Sequence, residues 1–135
     1  MYDNILIPLA LATEDDSARP IEALGKLASA GAKVTFLHVV EDIPPRVAGY
    51  LPDDYVAEIH RDRLAELARR VADVEGAKVE VVEGNAGARI LERAEKLGTD
   101  CIVIASHRPG LRDWFLGSTA ARVVRHAKCS VLVVR

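Results

Sequence analysis

Short, continuous runs of apolar residues constrain the fold of this chain more than any other feature. The clearest runs are residues 4–9 and 101–105, and another extends to the C-terminus over residues 130–135; residues 33–40 are mostly apolar. A strand with one wet face alternates apolar and polar residues, whereas a continuous apolar run is typical of a strand buried on both faces. We therefore expect a parallel sheet that is covered by helices on both sides.

Segments with helical spacing separate these runs. In the first, Ser17 is a suitable N-cap, Pro20 falls in the first turn, and Gly31 is predicted to end the helix. Either Asp53 or Asp54 can cap the second helix. Four arginines of this second helix are predicted to face water: Arg61, Arg63, Arg69 and Arg70.

The remaining segments are less regular in pattern. Residues 41–52 contain three prolines and a glycine, and we predict an exposed connection without regular structure. Residues 77–82 alternate apolar and polar side chains, which favours an edge strand. Residues 84–87 are predicted to form a turn, and the helix after them is predicted to end at Gly98.

The resulting order of elements is βαβαβαβαβ, in a single domain that covers residues 1–135. Such alternation predicts an α/β fold with a five-stranded parallel sheet, right-handed crossovers and strand order 3-2-1-4-5. Ligands of such sheets bind beyond the carboxyl ends of the strands, where the strand order reverses. Here that position lies between strands 1 and 4, near Ala10 and Ala105.

Composition excludes several classes of protein. The net charge is −2 and no basic run occurs, which argues against nucleic acid as the main partner. No apolar stretch approaches the ~18 residues that a membrane span needs, and no signal peptide precedes the first strand, so we expect a cytoplasmic protein.

The cysteine pattern also excludes kinds of site. Cys101 and Cys129 are too few and too far apart for a metal motif or a CxxC redox pair, and we predict two buried free thiols. Both thiols fall at the start of a predicted strand. If those two strands are neighbours, the thiols could lie close together.

Two phosphate-binding motifs are absent. The turn after the first strand lacks GxGxxG, and residues 110–118 lack the lysine of a P-loop, which argues against a dinucleotide oxidoreductase and a P-loop NTPase. No set of nucleophile, base and acid is evident, so no catalytic residue is predicted.

A phosphate site is nevertheless predicted at Gly117, Ser118 and Thr119, where backbone N–H groups and hydroxyls begin a helix. The alternative is that Ser118 serves only as the N-cap of that helix. Arg108 could pair with a phosphate or remain a solvated loop charge, and His107 is a further donor in the same loop. His38, on the second strand, is predicted to be a core histidine with a satisfied ring nitrogen.

The whole chain resembles the universal stress protein family. The resemblance rests on residues 5–8, 37–40, 94–100, 116–120, 124–127 and 131–134, and residues 104–109 are closest to the F/G-type branch. It implies the adenine nucleotide alpha-hydrolase-like fold and a stress-response protein that binds ATP, or ADP or AMP, with or without Mg²⁺. It also implies a homodimer that pairs through the C-terminal strand, here Val131, Leu132, Val133 and Val134.

The resemblance also assigns the parts of the nucleotide site. Pro8, Ala10 and Val39 would line the base and the ribose, whereas Ala105, His107 and Arg108 would border the phosphates, which Gly117, Ser118 and Thr119 would bind. Members with the pattern G-x-x-G-x9-G-[ST] bind ATP.

This sequence departs from that pattern at three points. Ala105 replaces the first glycine, the second glycine is deleted, and Ala10 replaces the acidic residue that usually follows strand 1. The alternative is therefore a dimeric interaction module of the same family that binds no nucleotide. We expect at most slow ATP hydrolysis or autophosphorylation.

Overall fold

A parallel sheet of five strands, in the order β3-β2-β1-β4-β5, runs through the centre of the molecule. The predicted strand order and fold class are thereby confirmed. The computed structural model describes residues 1–12, 17–41, 45–106 and 116–135. The elements are β1 (Tyr2–Pro8), α1 (Ala18–Leu27), β2 (Ala28–Val40), α2 (Pro45–Ala48), α3 (Tyr55–Arg70), β3 (Lys78–Glu83), α4 (Ala86–Leu97), β4 (Cys101–Ala105), α5 (Ser118–His126) and β5 (Ser130–Val134).

The core has two layers, one on each face of the sheet. Successive side chains of a strand point to opposite faces, so Ile5 and Ile7 enter one layer while Leu6 enters the other. Helices α1 and α3 cover the first layer, and α4 and α5 cover the second. Full burial of each such side chain contributes about 1.5–3 kcal/mol, which explains why the central strands are apolar at consecutive positions.

Hydrogen bonds fix the amino end of β1 against β4. The Asp100 carboxylate accepts the backbone N–H groups of Asp3 (2.9 Å) and Asn4 (3.0 Å), and the Asn4 side chain donates to the carbonyl of Leu97 (2.7 Å). Ile5 then pairs with Cys101 in the ladder. Because the two strands are parallel, their carboxyl ends lie at the same edge of the sheet.

The predicted end of the first helix was wrong. Helix α1 ends at Leu27, and Ala28 already belongs to β2, where it pairs with Tyr2. The register then shifts between Tyr2 and Asn4, so β2 contains extra residues opposite β1. Gly31 lies in this irregular stretch with a φ of 75°, so its left-handed conformation serves a bulge rather than a helix end.

Two loop predictions were also wrong in part. The segment expected to lack regular structure contains the helical turn α2, which begins at Pro45, a residue suited to the first helical position. The predicted turn at residues 84–87 is the start of α4, because Asn85 caps that helix and Ala86 and Gly87 lie in its first turn. The edge position of β3 is confirmed.

The water-facing surface of α3 differs from the prediction at Arg70. This side chain is only 5% exposed and donates from Nε to Glu66 (2.8 Å), whereas Leu64, expected in the apolar stripe, is 42% exposed. Charge alone had suggested solvation for Arg70. The long aliphatic part of an arginine can pack inward when a carboxylate meets its head, as Glu66 does here.

The two cysteines are free and lie on opposite faces of the sheet. Cys101 is buried in the layer under α1 and α3, whereas Cys129 is half-buried beside the layer under α4 and α5. Cys101 begins β4 and Cys129 directly precedes β5. These strands are parallel neighbours, yet the two side chains belong to opposite layers of the core. Burial raises the pKa of both thiols, which makes them poor nucleophiles at neutral pH.

None of the helices in the described ranges is long and apolar enough to cross a membrane.

Candidate functional site

The candidate site lies at the carboxyl edge of the sheet, where the connections diverge. From β1 the chain crosses one face through α1, and from β4 it crosses the other face through α5. Strands β1 and β4 are neighbours, so a crevice is expected between their carboxyl ends. Ala10 and Ala105, both exposed, lie at this edge.

A buried histidine supports the chain just past β1. The Nδ1 of His38 donates to the carbonyl of Leu9 at 2.8 Å, which confirms the prediction of a satisfied core histidine. Burial lowers the pKa of His38; the hydrogen bond to Leu9 opposes this shift, and the positive charge of Arg63 adds to it. A neutral imidazole therefore holds the segment between Pro8 and Ala10 in place.

The amino end of α5 is open. Gly117 is the N-cap, and no side chain of the described residues caps the helix. The first intrahelical bond from this end runs from the N–H of Ala121 to the Gly117 carbonyl (2.9 Å), so the N–H groups of Ser118, Thr119 and Ala120 have no partner within the helix.

Gly117 and Ser118 have roles that differ from those predicted. The N–H of Gly117 donates to the carbonyl of Ser106 (2.6 Å), so it is already used. Ser118 is the first helical residue rather than the N-cap, so the alternative role considered for it was wrong. Its side chain is exposed and forms no hydrogen bond within the described part of the chain.

A cavity of about 240 Å³ opens beside this helix end. It lies between the amino ends of α4 and α5 and the carboxyl end of β2. Its lining residues are Glu41, Asn85, Ala86, Gly87, Ser118, Thr119 and Arg122.

Arg122 joins the two helix ends across this cavity. Its Nη1 donates to Oδ1 of Asn85 at 2.9 Å, and the same oxygen caps α4 by accepting the N–H of Ala88 at 3.0 Å. A Cβ on Gly87 would lie 2.8 Å from Cδ of Arg122, so the missing side chain of this glycine makes room for the arginine. Among the described residues, the guanidinium has a neutral amide as its acceptor and no carboxylate.

The predicted site residues differ in their position relative to the cavity. Pro8 and Val39 are half-buried near the carboxyl ends of β1 and β2, and Ala10 and Ala105 are exposed at the same edge, but none of these four lines the cavity. Ser118 and Thr119 line it. Of the remaining predicted residues, Gly117 adjoins the cavity wall as the N-cap, and His107 and Arg108 lie outside the described residues.

The sequence did not predict three of the lining residues: Glu41, Asn85 and Arg122. One signal for Arg122 was present, because it follows Ser118 by four residues and therefore shares its helix face. No comparable signal marks Glu41 or Asn85, which belong to other elements. No group of histidine, cysteine and carboxylate side chains in the described ranges could hold a metal ion.

Comparison with known proteins shows which protein family this chain matches. The model of the universal stress protein family matches residues 1–135. Universal stress protein A homolog 2 of Coxiella burnetii is 34% identical over 143 residues, which cover 99% of this chain and 95% of that protein. The solved structure of universal stress protein UspA from Lactobacillus plantarum is 28% identical, with a TM-score of 0.77 and coverage of 99% of this chain and 98% of that one.

More distant solved structures share the fold and carry nucleotides. A universal stress protein in complex with cAMP is 21% identical, with a TM-score of 0.69, and covers 99% of this chain and 97% of its own. The protein from Archaeoglobus fulgidus in complex with dAMP is 20% identical, with a TM-score of 0.64 and coverage of 99% and 98%.

Proposed function

The chain belongs to the universal stress protein family, and on this premise we propose that it binds ATP or a related adenine nucleotide, with the phosphates at the amino end of α5. The open end of α5 is the observation that carries the proposal. Its three N–H groups, which have no partner within the helix, form a set of donors together with the hydroxyls of Ser118 and Thr119, and no acceptor for them lies among the described residues. Such a set favours a phosphate, which also meets the positive end of the helix dipole.

The nucleoside would extend from this helix end over the carboxyl edge of the sheet. Pro8 and Ala10 would border the ribose, and Val39 would contact the base. Ala105, with His107 and Arg108, would border the phosphates. Relatives that share the fold are complexes with cAMP and dAMP, which supports the choice of an adenine nucleotide.

We assign no catalytic residue to this site. His38 is buried and its Nδ1 is bonded to Leu9, so it is unsuited to activate water. Turnover of a bound ATP would accordingly be slow.

Gly117→Asp tests the proposal. Aspartate is a favoured N-cap, so the variant should fold at least as stably as the wild type, while its carboxylate would repel the phosphates. We expect wild-type ATP binding by calorimetry and a loss of affinity of about tenfold or more in the variant. As a control, Gly25→Asp adds the same charge at an exposed glycine of α1, and its affinity should be unchanged.

Two results would count against this model. Unchanged ATP affinity of Gly117→Asp would remove the end of α5 from the phosphate site. An absence of any thermal shift of the wild type with ATP, ADP or AMP would favour the alternative, a dimeric interaction module, since a hundredfold excess over Kd should stabilise a binder by about 2.7 kcal/mol. Ala10 and Ala105, which put methyl groups at the sheet edge, are the residues that favour this alternative.

The same proposal includes a homodimer that pairs through β5. This strand bonds to β4 on one side, and its other side has no strand neighbour in the described part of the chain. Val131, Leu132, Val133 and Val134 are each half-buried. An uncharged apolar edge of this kind is prone to pair with another strand, and a second copy of β5 would satisfy it.

A further inference from the structure

Glu41 is the acidic residue of the cavity beside α5. It directly follows β2, its side chain is exposed, and it lines the same cavity as Ser118 and Arg122. Within the described ranges its carboxylate forms neither a hydrogen bond nor an ion pair, and no ion pair joins it to Arg122. The cavity therefore has a free acceptor on the β2 side and donors on the α5 side.

This arrangement constrains the ligand that can fill the cavity. A phosphate is compatible with α5 and Arg122, but a carboxylate repels it. One ligand satisfies both sides if its anionic end lies on α5 and a hydrogen-bond donor, such as a hydroxyl, reaches Glu41. A ribose 5′-phosphate group has both features.

The size of the cavity agrees with a part of a nucleotide rather than a whole one. Its volume of about 240 Å³ is below the roughly 300–1,000 Å³ of pockets that enclose complete small-molecule ligands. A phosphate and the hydroxyl side of the ribose are of suitable size. The other side of the ribose would face Pro8 and Ala10 outside the cavity, and the base would lie over the sheet edge near Val39.

The position of Glu41 has a parallel in other α/β sheets. In dinucleotide-binding folds, an acidic residue about 20 residues beyond the first turn accepts a hydrogen bond from the ribose 2′-hydroxyl. Glu41 stands at the carboxyl end of β2, next to the central strand β1. Both kinds of sugar occur among relatives that share the fold, since one is a complex with cAMP and another with dAMP. A preference for one sugar would therefore come from side chains of the individual protein.

We infer that Glu41 accepts a hydrogen bond from the ribose 2′-hydroxyl and makes this site selective for ribonucleotides over deoxyribonucleotides. The inference rests on the proposed function, because it concerns the sugar of the same ligand. Arg122, held by Asn85, would fix the phosphate end and thereby set the distance at which the ribose meets Glu41.

The test compares ATP with 2′-deoxy-ATP by equilibrium binding. The wild type should bind ATP on the order of tenfold more tightly, as expected for a hydrogen bond to a charged group. In Glu41→Ala this ratio should fall to about one. The ratio is the useful quantity because both nucleotides carry the same charge, so any general effect of removing a carboxylate near the phosphates cancels.

Glu83→Ala is the matched control. Glu83 is an exposed acid at the carboxyl end of β3, it pairs with Val40 in the ladder, and it does not line the cavity. This variant loses the same charge and should keep the wild-type ratio. Thermal unfolding of both variants verifies that an exposed substitution has left the fold intact.

The outcomes separate the inference from the proposed function. If the wild type binds ATP and 2′-deoxy-ATP equally, or if Glu41→Ala keeps a tenfold preference, the role of Glu41 is wrong while nucleotide binding stands. A wild type that binds neither nucleotide overturns the proposed function, and the inference with it.

Discussion

The surroundings of His38 and Glu66 lower the pKa values of both side chains. Arg69 and Arg70 donate hydrogen bonds to Glu66 and lower its pKa to about 2, so this acid stays ionised throughout the mildly acidic range. Burial is the main cause that lowers the pKa of His38. Protonation of His38 is therefore linked to the stability of the folded segment beneath the candidate site.

Stability should fall as the pH decreases from 7 to 5, in part because of His38. In the unfolded chain this residue binds a proton near pH 6.5, whereas the folded state resists protonation until a lower pH. The unfolded state then binds more protons, so the contribution of His38 is complete above about pH 6.5 and is lost below it. His38→Asn keeps a side-chain N–H donor for Leu9 but does not titrate.

Urea unfolding of the wild type and His38→Asn across this range checks the prediction. The free energy of unfolding of the wild type should decrease more between pH 7 and pH 5 than that of the variant. Parallel pH dependences of the two proteins would contradict the role assigned to His38.

At the level of elements, the effect of a glycine on helix stability depends on its backbone conformation. Gly25 lies within α1, is exposed, and has open space where a Cβ would be. Gly98 ends α4 in the left-handed conformation, with a φ of 67°, and its N–H bonds to the last turn of that helix. The first glycine weakens its helix, whereas the second suits its position.

Alanine at these two positions should therefore have opposite effects. We expect Gly25→Ala to raise the free energy of unfolding by about 0.5–1 kcal/mol, because alanine is the better helix former. Gly98→Ala should lower it by roughly 1–2 kcal/mol, the cost of a Cβ in the left-handed region. Chemical denaturation of both variants measures the difference, and a change of the same sign in both would refute this explanation.

For the whole molecule, the two edges of the sheet differ in how they are protected. Edge strand β3 carries Lys78, Glu80 and Glu83, and Arg93 of α4 forms a bidentate pair with Glu80. Charged side chains of this kind discourage pairing with another strand. Edge strand β5 has no charged residue between Ser130 and Val134. This asymmetry favours β5 as the dimer edge.

Val133→Pro should convert the proposed dimer to a monomer. The Val134 carbonyl accepts the N–H of Ser106, so Val134 faces β4 and the polar backbone groups of Val133 turn to the open side. Proline at position 133 removes an outward N–H without removing a bond to β4. Light scattering coupled to size exclusion measures the mass, and circular dichroism verifies folding. A folded variant that remains dimeric, or a monomeric wild type, contradicts pairing through β5.

Continuous apolar runs predicted the fold because burial on both faces leaves few alternatives. The runs at residues 4–9 and 101–105 favoured central strands, and the connection rules of parallel sheets then favoured the order that the structure shows. Local signals were weaker guides. The left-handed conformation of Gly31 suits a bulge as well as a helix end, so this glycine alone did not show which of the two it forms. Arg70 is buried because its partner Glu66 lies one helical turn away.

By itself, the sequence predicted the family, the five-stranded sheet, and Ser118 and Thr119 as site residues, which the structure places in the cavity wall. Only the tertiary structure brought Glu41, Asn85 and Arg122 to the same cavity. These residues come from the end of β2, the start of α4 and the first turns of α5, and they are separated by more than thirty positions of sequence. A local sequence pattern describes residues that are neighbours along the chain. A ligand site depends on which ends of helices and strands lie together, and the packing of the helices on the sheet decides which ends these are.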